Sequence, residues 1–175
     1  MKRQDTLENQ VNYAYLAIGS NLGKKIMNLE FAKYKLSQAG VKIIKSSGFY
    51  ITKSWPNPRF PDYVNAVLLT KTKLKITELF KQIKIIEKSL GRKKAPKNYP
   101  RTCDIDIIDF NGKSISMKFG QQIIHLPHSN MHKRNFVLMP MLEISHHWVH
   151  PKFKKNIVKL LLELPNDELN QIKFA

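Results

Sequence analysis

Two aspartates one residue apart, Asp104 and Asp106, are the strongest chemical signal in the sequence. They sit in CDIDIIDF, residues 103–110, whose β-branched and aromatic content predicts a strand. Alternate side chains of a strand share a face, so the two carboxylates point the same way, with Cα atoms about 6.5 Å apart. Cys103, Ile105 and Ile107 then face the opposite side, where the lone cysteine reads as a buried, inert thiol. Neighbouring carboxylates repel unless a cation lies between them. Mg²⁺ suits that place: it prefers oxygen and is held by one or two carboxylates plus substrate phosphates. Taken alone, the pair also fits an ordinary solvated strand face.

The segment just before the pair is RKKAPKNYPR, residues 92–101. It carries Arg92, Lys93, Lys94, Lys97 and Arg101 and no acid. A cation site beside arginines is what a nucleoside triphosphate needs, since guanidinium groups grip phosphate oxygens bidentately while the metal bridges them. Tyr99 offers a stacking face for a base. In a phosphate-transfer reading, His128 and Arg134 become further donors to phosphate oxygens. Trp55, Tyr63 and Phe136, with Asn65 close by, form a set that can clamp a flat heterocycle, rings for stacking and an amide for its edge. Each of these aromatics taken singly also reads as core.

Other patterns are set aside. GSNLGK (19–24) has too few residues between its glycines for a phosphate-binding P-loop, and Lys25 follows the lysine where Ser or Thr is needed. His128 and His132 have zinc-like spacing, but no Glu follows His128 and no third ligand is evident. His146, His147 and His150, near Trp148, read as surface or packing residues.

These residues need elements to position them. YAYLAI (13–18) reads as a buried strand. Apolar residues Ile26, Leu29, Ala32, Leu36 and Ala39 recur at helical spacing, with Gly40 as the stop. Strand-like runs follow at Val41 to Thr52 and Val64 to Leu74, separated by a loop with three prolines. Thr77 is the expected cap of a second helix with the face Leu79, Phe80, Ile83, Ile86 and Leu90, closed by Gly91. After the aspartate strand, Asn111-Gly112 signals a hairpin. HLPHSN is expected as a loop before a helix over Met131 to Ile144, and a last helix is expected over Ile157 to Leu164. The order resembles a βαββαβ core, a split βαβ with helices on one face of an antiparallel sheet, followed by a helical tail.

The chain has 175 residues, 30 Lys+Arg and 13 Asp+Glu, a formal charge of +17. The length suggests a single domain over 1–175, with 1–12 as a polar N-terminal extension. Hydrophobic residues make up 42%, which excludes a disordered chain. One cysteine permits no internal disulfide and fits a reducing, cytoplasmic setting. The longest apolar run, Phe136 to Leu142, is far short of a membrane span and contains Pro140. The basic balance favours polyanionic partners. However, lysines are scattered along the whole chain, as on a solvated surface.

Four segments, in order, resemble the 6-hydroxymethyl-7,8-dihydropterin pyrophosphokinase family of folate biosynthesis. They are YLAIGSNLG (15–23), FPDYVNAV (60–67), PRTCDIDIIDF (100–110) and LPHSNMHKRNFVLMPMLEI (126–144), and the likeness runs over about 13–162. The resemblance implies a ferredoxin-like α+β fold and transfer of diphosphate from ATP to the pterin's hydroxymethyl oxygen, releasing AMP. It implies that Asp104 and Asp106 hold two Mg²⁺ ions on the triphosphate, and that Arg92, Arg101, His128 and Arg134 contact phosphates. It further implies that Glu87 lies near the nucleotide, that Tyr63 and Phe136 sandwich the pterin, that Asn65 bonds its edge, and that backbone around Thr52 and Trp55 contributes. Gly19, Ser20 and Asn21 would lie by the site. The basic loop departs from the family's usual Trp-Gly: here Tyr99 directly precedes Pro100. The partners implied are ATP and the pterin, with a monomer expected and neither membrane nor nucleic acid. The rival readings are a basic RNA-binding module and an inactive relative. An RNA reader would carry aromatics on its central strands, and this chain carries aspartates there.

Overall fold

The computed structural model describes residues 10–175 except 94, 97 and 121. Lys94 and Lys97 of the basic loop and the first nine residues of the N-terminal extension lie outside the described residues. At the centre is β1 (Asn12–Ser20), antiparallel to β5 (Asp104–Phe110) on one side and to β4 (Tyr63–Thr72) on the other. The far edge of β4 is shared by β2 (Val41–Ser46) and β3 (Tyr50–Thr52), and a short β8 (Lys173–Phe174) pairs with β3. This is the antiparallel sheet of a ferredoxin-like βαββαβ core.

One sheet face works as expected. Ala14, Leu16 and Ile18 alternate along β1 and are buried under α1 (Lys25–Gln38) and α2 (Ile76–Ser89). Leu29, Ala32 and Leu36 from α1, and Leu79, Ile83 and Ile86 from α2, complete that core. Each large side chain buried there is worth about 1.5–3 kcal/mol. The two core helices thus share one face as expected, and the helical tail covers part of the other. Val67 and Ile108 on that face pack against α3 (Asn135–Ser145) and α4 (Ile157–Leu162) in a second core with Val137, Leu138 and Met141. These helices cover only part of the face, and a cavity occupies the rest.

Three local expectations are corrected. The run Val41 to Thr52 is two strands. Ser47 Oγ accepts from the Val67 amide at 2.9 Å, so a side chain takes over a ladder bond and the backbone steps out until Tyr50. The cap of α2 is Lys75, because the Glu78 carboxylate accepts from the Lys75 amide at 2.7 Å and Thr77 falls inside the first turn. The Asn111-Gly112 turn forms, with φ of 56° and 62°, but it does not fold a strand back onto β5. The outer edge of β5 is already used: the Ile105 amide donates to Glu87, and the His128 amide donates to the Ile108 carbonyl. The chain instead makes a separate hairpin, β6 (Ile115–Phe119) with β7 (Gln122–Leu126), over a stretch the sequence reading left without strands. A short helix α5 (Asn166–Asn170) precedes β8. Among the described residues no helix is long and apolar enough to cross a membrane.

Candidate active site

The site grows from a row across the sheet. Asp104 pairs with Gly19 of β1, Gly19 with Asn65 of β4, and Asn65 with Tyr50 of β3. Paired positions share a face, so Asp104 and Asn65 stand on the same side with a glycine between them. A Cβ on Gly19 would lie 3.0 Å from Asn65 Oδ1 and 3.5 Å from the Tyr63 ring. The missing side chain keeps the floor low between a carboxylate end and an aromatic end. In the next row Asp106 pairs with Ala17, again a small residue.

The resulting cavity, of about 740 Å³, is lined by Arg101, Asp104, Asp106 and Arg134 at one end and by Thr52, Trp55, Tyr63, Asn65 and Phe136 at the other. Nine sequence-selected residues are thus brought to one cavity from β3, β4, β5 and α3 with their loops.

At the polar end each carboxylate is met by N–H donors, arginines among them. Asp104 Oδ1 accepts from Arg92 Nη1 at 2.7 Å and from Arg101 Nη1 at 3.3 Å. Asp106 Oδ2 accepts from Arg134 Nη1 at 3.3 Å, with His128 Nε2 at 3.9 Å. The backbone of Arg101 is clamped to the end of β1: its amide donates to Asn21 Oδ1 at 2.8 Å, and its carbonyl accepts from the Asn21 amide at 3.1 Å. That bond gives buried Asn21 a place beside the site. Burial lowers the proton affinity of His128, against the pull of Asp106, so the imidazole is neutral near pH 7. Its Nδ1 accepts from the Asn130 amide at 3.2 Å, which leaves Nε2–H facing Asp106.

Four selected residues lie off the cavity wall. Arg92 stands behind Asp104. Glu87 is buried and does not reach the cavity; it accepts from Arg92, from Lys84 Nζ at 2.9 Å and from the Ile105 amide at 2.9 Å. Burial pushes its carboxyl up, with Lys84, the Ile105 amide and Arg92 pulling back. Burial also works against the Arg92 charge, but Asp104 and Glu87 outweigh it and hold the guanidinium above its ordinary value. Tyr99 is turned to Phe60, ring centroids 5.5 Å apart, and is half exposed. His128 stands at the border of a second cavity, of about 550 Å³, shared with His125 and His150.

At the apolar end, Asn65 is buried and its amide donates to Thr52 Oγ1 at 3.0 Å. The Tyr63 hydroxyl is raised by burial. The Arg134 guanidinium lies 5.5 Å from the Phe136 ring centroid, linking the two ends. Trp55 stands exposed at the rim. The sequence reading did not anticipate Lys53, Asn130 or Lys133 on the wall, or Asp167, Glu168 and Gln171. Lys53 and Lys133 adjoin Thr52 and Arg134, and Asn130 lies two residues after His128. The last three come from a short segment with no periodic or motif signal.

Among the described residues no three His, Cys, Asp or Glu side chains gather as a metal cage. His128 and His132 do not share a helix face: the first faces Asp106 and the second packs edge-on to Phe153, 5.0 Å between centroids. The Cys103 thiol is buried and pushed up to about 12, which fits an inert role.

Residues 15–146 match the family model described as 7,8-dihydro-6-hydroxymethylpterin-pyrophosphokinase (HPPK). The chain is 37% identical over 141 residues to the 2-amino-4-hydroxy-6-hydroxymethyldihydropteridine pyrophosphokinase of Aquifex aeolicus, covering 81% of this chain and 85% of that protein. The enzyme of the same name from Bacillus subtilis is 37% identical over 134 residues, covering 76% and 78%. The folic acid synthesis protein fol1 of Pneumocystis carinii is 34% identical over 151 residues, 86% of this chain but only 20% of that longer protein. The crystal structure of Plasmodium falciparum HPPK-DHPS with pteroate superposes with a TM-score of 0.73 over 89% of this chain and 45% of that one. At 15% identity that likeness concerns the fold.

Proposed function

This chain belongs to the 7,8-dihydro-6-hydroxymethylpterin-pyrophosphokinase family, and on that premise we propose how its cavity performs a pterin pyrophosphokinase reaction of folate biosynthesis. One observation carries the reading. A single cavity joins two carboxylates cornered by arginines to a chamber of Tyr63, Phe136 and Asn65, with Gly19 as the floor between. A polyanion and a flat heterocycle are the two ligands such ends suit.

The triphosphate of ATP lies at the polar end. Arg101 and Arg134 line that end and Arg92 stands behind it, so phosphate oxygens replace carboxylates as their partners. The pterin stacks between Tyr63 and Phe136, with Asn65 and Thr52 at its edge. Its hydroxymethyl oxygen bonds to the β-phosphorus, the bond from that phosphorus to the oxygen bridging the α-phosphate breaks, and AMP leaves with the bridging oxygen. The hydroxyl proton is released to solvent or phosphate. Phosphoryl-type transfer needs positioning and charge neutralisation more than covalent help, and the chain supplies both with fixed side chains. His128 contributes Nε2–H as a neutral donor.

The donor set fits Mg²⁺. Two carboxylates on one strand face are too few for an all-protein cage, and Mg²⁺ is usually completed by waters and substrate phosphates. Asp104 and Asp106 would hold the ions. Bound there, they would neutralise the triphosphate and polarise the bond to be cleaved. The chain is taken to act as a monomer, and a single buried, unpaired thiol suits the cytoplasm.

The test is ³¹P NMR with ATP, Mg²⁺ and 6-hydroxymethyl-7,8-dihydropterin. Pterin-dependent AMP and a pterin diphosphate are expected. ADP in place of AMP, or AMP formation without pterin, would overturn the reading.

A further inference from the structure

The family match ends at residue 146, yet the chain returns to the cavity after α4. There α5 places Asp167 and Glu168 on the wall, and Gln171 follows. Two attachments hold this segment. On one side, the Asn135 side-chain amide donates to the Glu168 backbone carbonyl. Asn135 opens α3, directly between Arg134 and Phe136. On the other side, β8 adds to β3, with Tyr50 opposite Phe174 and Ile51 opposite Lys173. The Ala175 amide donates to the Phe49 carbonyl at 2.9 Å, and the rings of Tyr50 and Phe174 lie 4.5 Å apart. A Cβ on Gly48 would come within 3.1 Å of the Phe174 ring, so the contact is close. β3 is the strand that carries Thr52, the partner of Asn65. The segment therefore bridges the sheet wall and the α3 wall of the same chamber.

Its side chains also have a chemical bias. Asp167 and Glu168 are acids for which no ion pair or side-chain hydrogen bond is found among the described residues, in a chain of charge +17. A carboxylate accepts two parallel N–H bonds. The amino-and-amide edge of a pterin presents two such donors side by side.

We propose that residues 166–174 are a third wall of the acceptor chamber. They hold β3 and the start of α3 at a fixed separation and present Glu168, the half-buried acid of the two, to the N–H edge of the heterocycle. This inference rests on the pterin reading of the cavity.

The experiment measures the pterin Kd by calorimetry, and the KM values for pterin and ATP from AMP formation. It uses the full chain, Phe174→Ala and Glu168→Gln. Each variant is expected to weaken pterin binding about tenfold or more, as for a lost hydrogen bond to a charged group, with the KM for ATP within about twofold. An unchanged pterin Kd in both variants would overturn the inference. So would an equal rise in both KM values, the mark of general loosening. A full chain that binds pterin but releases no AMP would count against the reaction while leaving the third wall testable by Kd.

Discussion

Arg92 Nη1 lies 2.7 Å from Asp104 Oδ1, and Arg101 reaches the same oxygen at 3.3 Å. Two guanidinium groups on one carboxylate oxygen hold in reserve the charges a triphosphate requires. In the proposed reaction the arginines would exchange one anion for another, and the Asp104 oxygen would become free for a cation. Arg92 is itself anchored from behind by Glu87. The proposed phosphate grip would thus extend back to a buried acid on α2.

Asp104→Asn and Asp106→Asn keep shape and remove charge. Each should lower kcat/KM for AMP formation by roughly 10²–10³-fold, the scale for deleting one preorganised electrostatic contact. Melting temperatures should move little, because partly exposed ion pairs contribute only about 0–1 kcal/mol. Near-normal turnover in either variant would exclude the metal-holding role. Titrating wild-type activity with a chelator and then restoring Mg²⁺ checks the same role without mutation.

Glu87 separates anchoring from contact. Glu87→Ala leaves the Ile105 amide without its acceptor and two cations without their buried anion. Because Arg92 and Lys84 are partly exposed, the loss should be about 2–3 kcal/mol in denaturant unfolding. Glu87→Gln, which retains an acceptor, should lose about half of that and recover part of the kcat. Equal stability for the two variants would mean that charge rather than hydrogen bonding sets the effect.

Tyr99 faces Phe60 instead of the cavity. Tyr99→Ala should therefore leave the KM for ATP nearly unchanged. Tyr63→Ala should instead raise the KM for pterin while sparing that for ATP. A large ATP effect at Tyr99 would show that the basic loop turns its ring inward on binding.

Acid should destabilise the protein through His150. Its ring is buried, stacked on Phe153 with centroids 4.2 Å apart, and Nδ1 accepts from the Lys152 and Phe153 amides. Burial, with nearby His132, lowers it to about 4. The unfolded chain takes up this proton near pH 6.5 and the folded chain only near pH 4, so in that window the unfolded state binds more protons. Stability should thus fall as pH drops from 7 to 4, by roughly 1–3 kcal/mol. His150→Asn, which keeps an acceptor at the same place, should flatten the slope in unfolding measured at several pH values. An unchanged slope would assign the acid sensitivity to His128 or His132.

Much of this was legible in the residues. Alternation along CDIDIIDF put Asp104 and Asp106 on one face and Ile105 and Ile107 on the other, and the strand keeps that pattern up to the register shift after Ile107. The helical spacing of Leu29, Ala32 and Leu36, and of Leu79, Ile83 and Ile86, likewise marked the faces that are buried. These are local rules, a period of two or of 3.6 read against one apolar surface.

What local rules could not reach depended on competition for backbone partners and on long-range pairing. Asn111-Gly112 makes its turn, but Glu87 and the His128 amide already occupy the edge of β5, so the hairpin forms elsewhere. Glu87 is drawn to the Ile105 amide and Arg92 and so does not line the cavity. Tyr99 finds Phe60, which no spacing foretells. Residues 166–174 carry no periodic signal, and it is the pairing of β8 with β3 and the bond from Asn135 to the Glu168 carbonyl that bring Glu168 to the cavity. The sequence by itself determined the chemistry available, two carboxylates, a set of arginines and a set of rings, because side-chain type and strand alternation are local properties. Only the tertiary structure decided which groups face one another, because a buried donor or acceptor must find a partner, and that partner can lie anywhere along the chain.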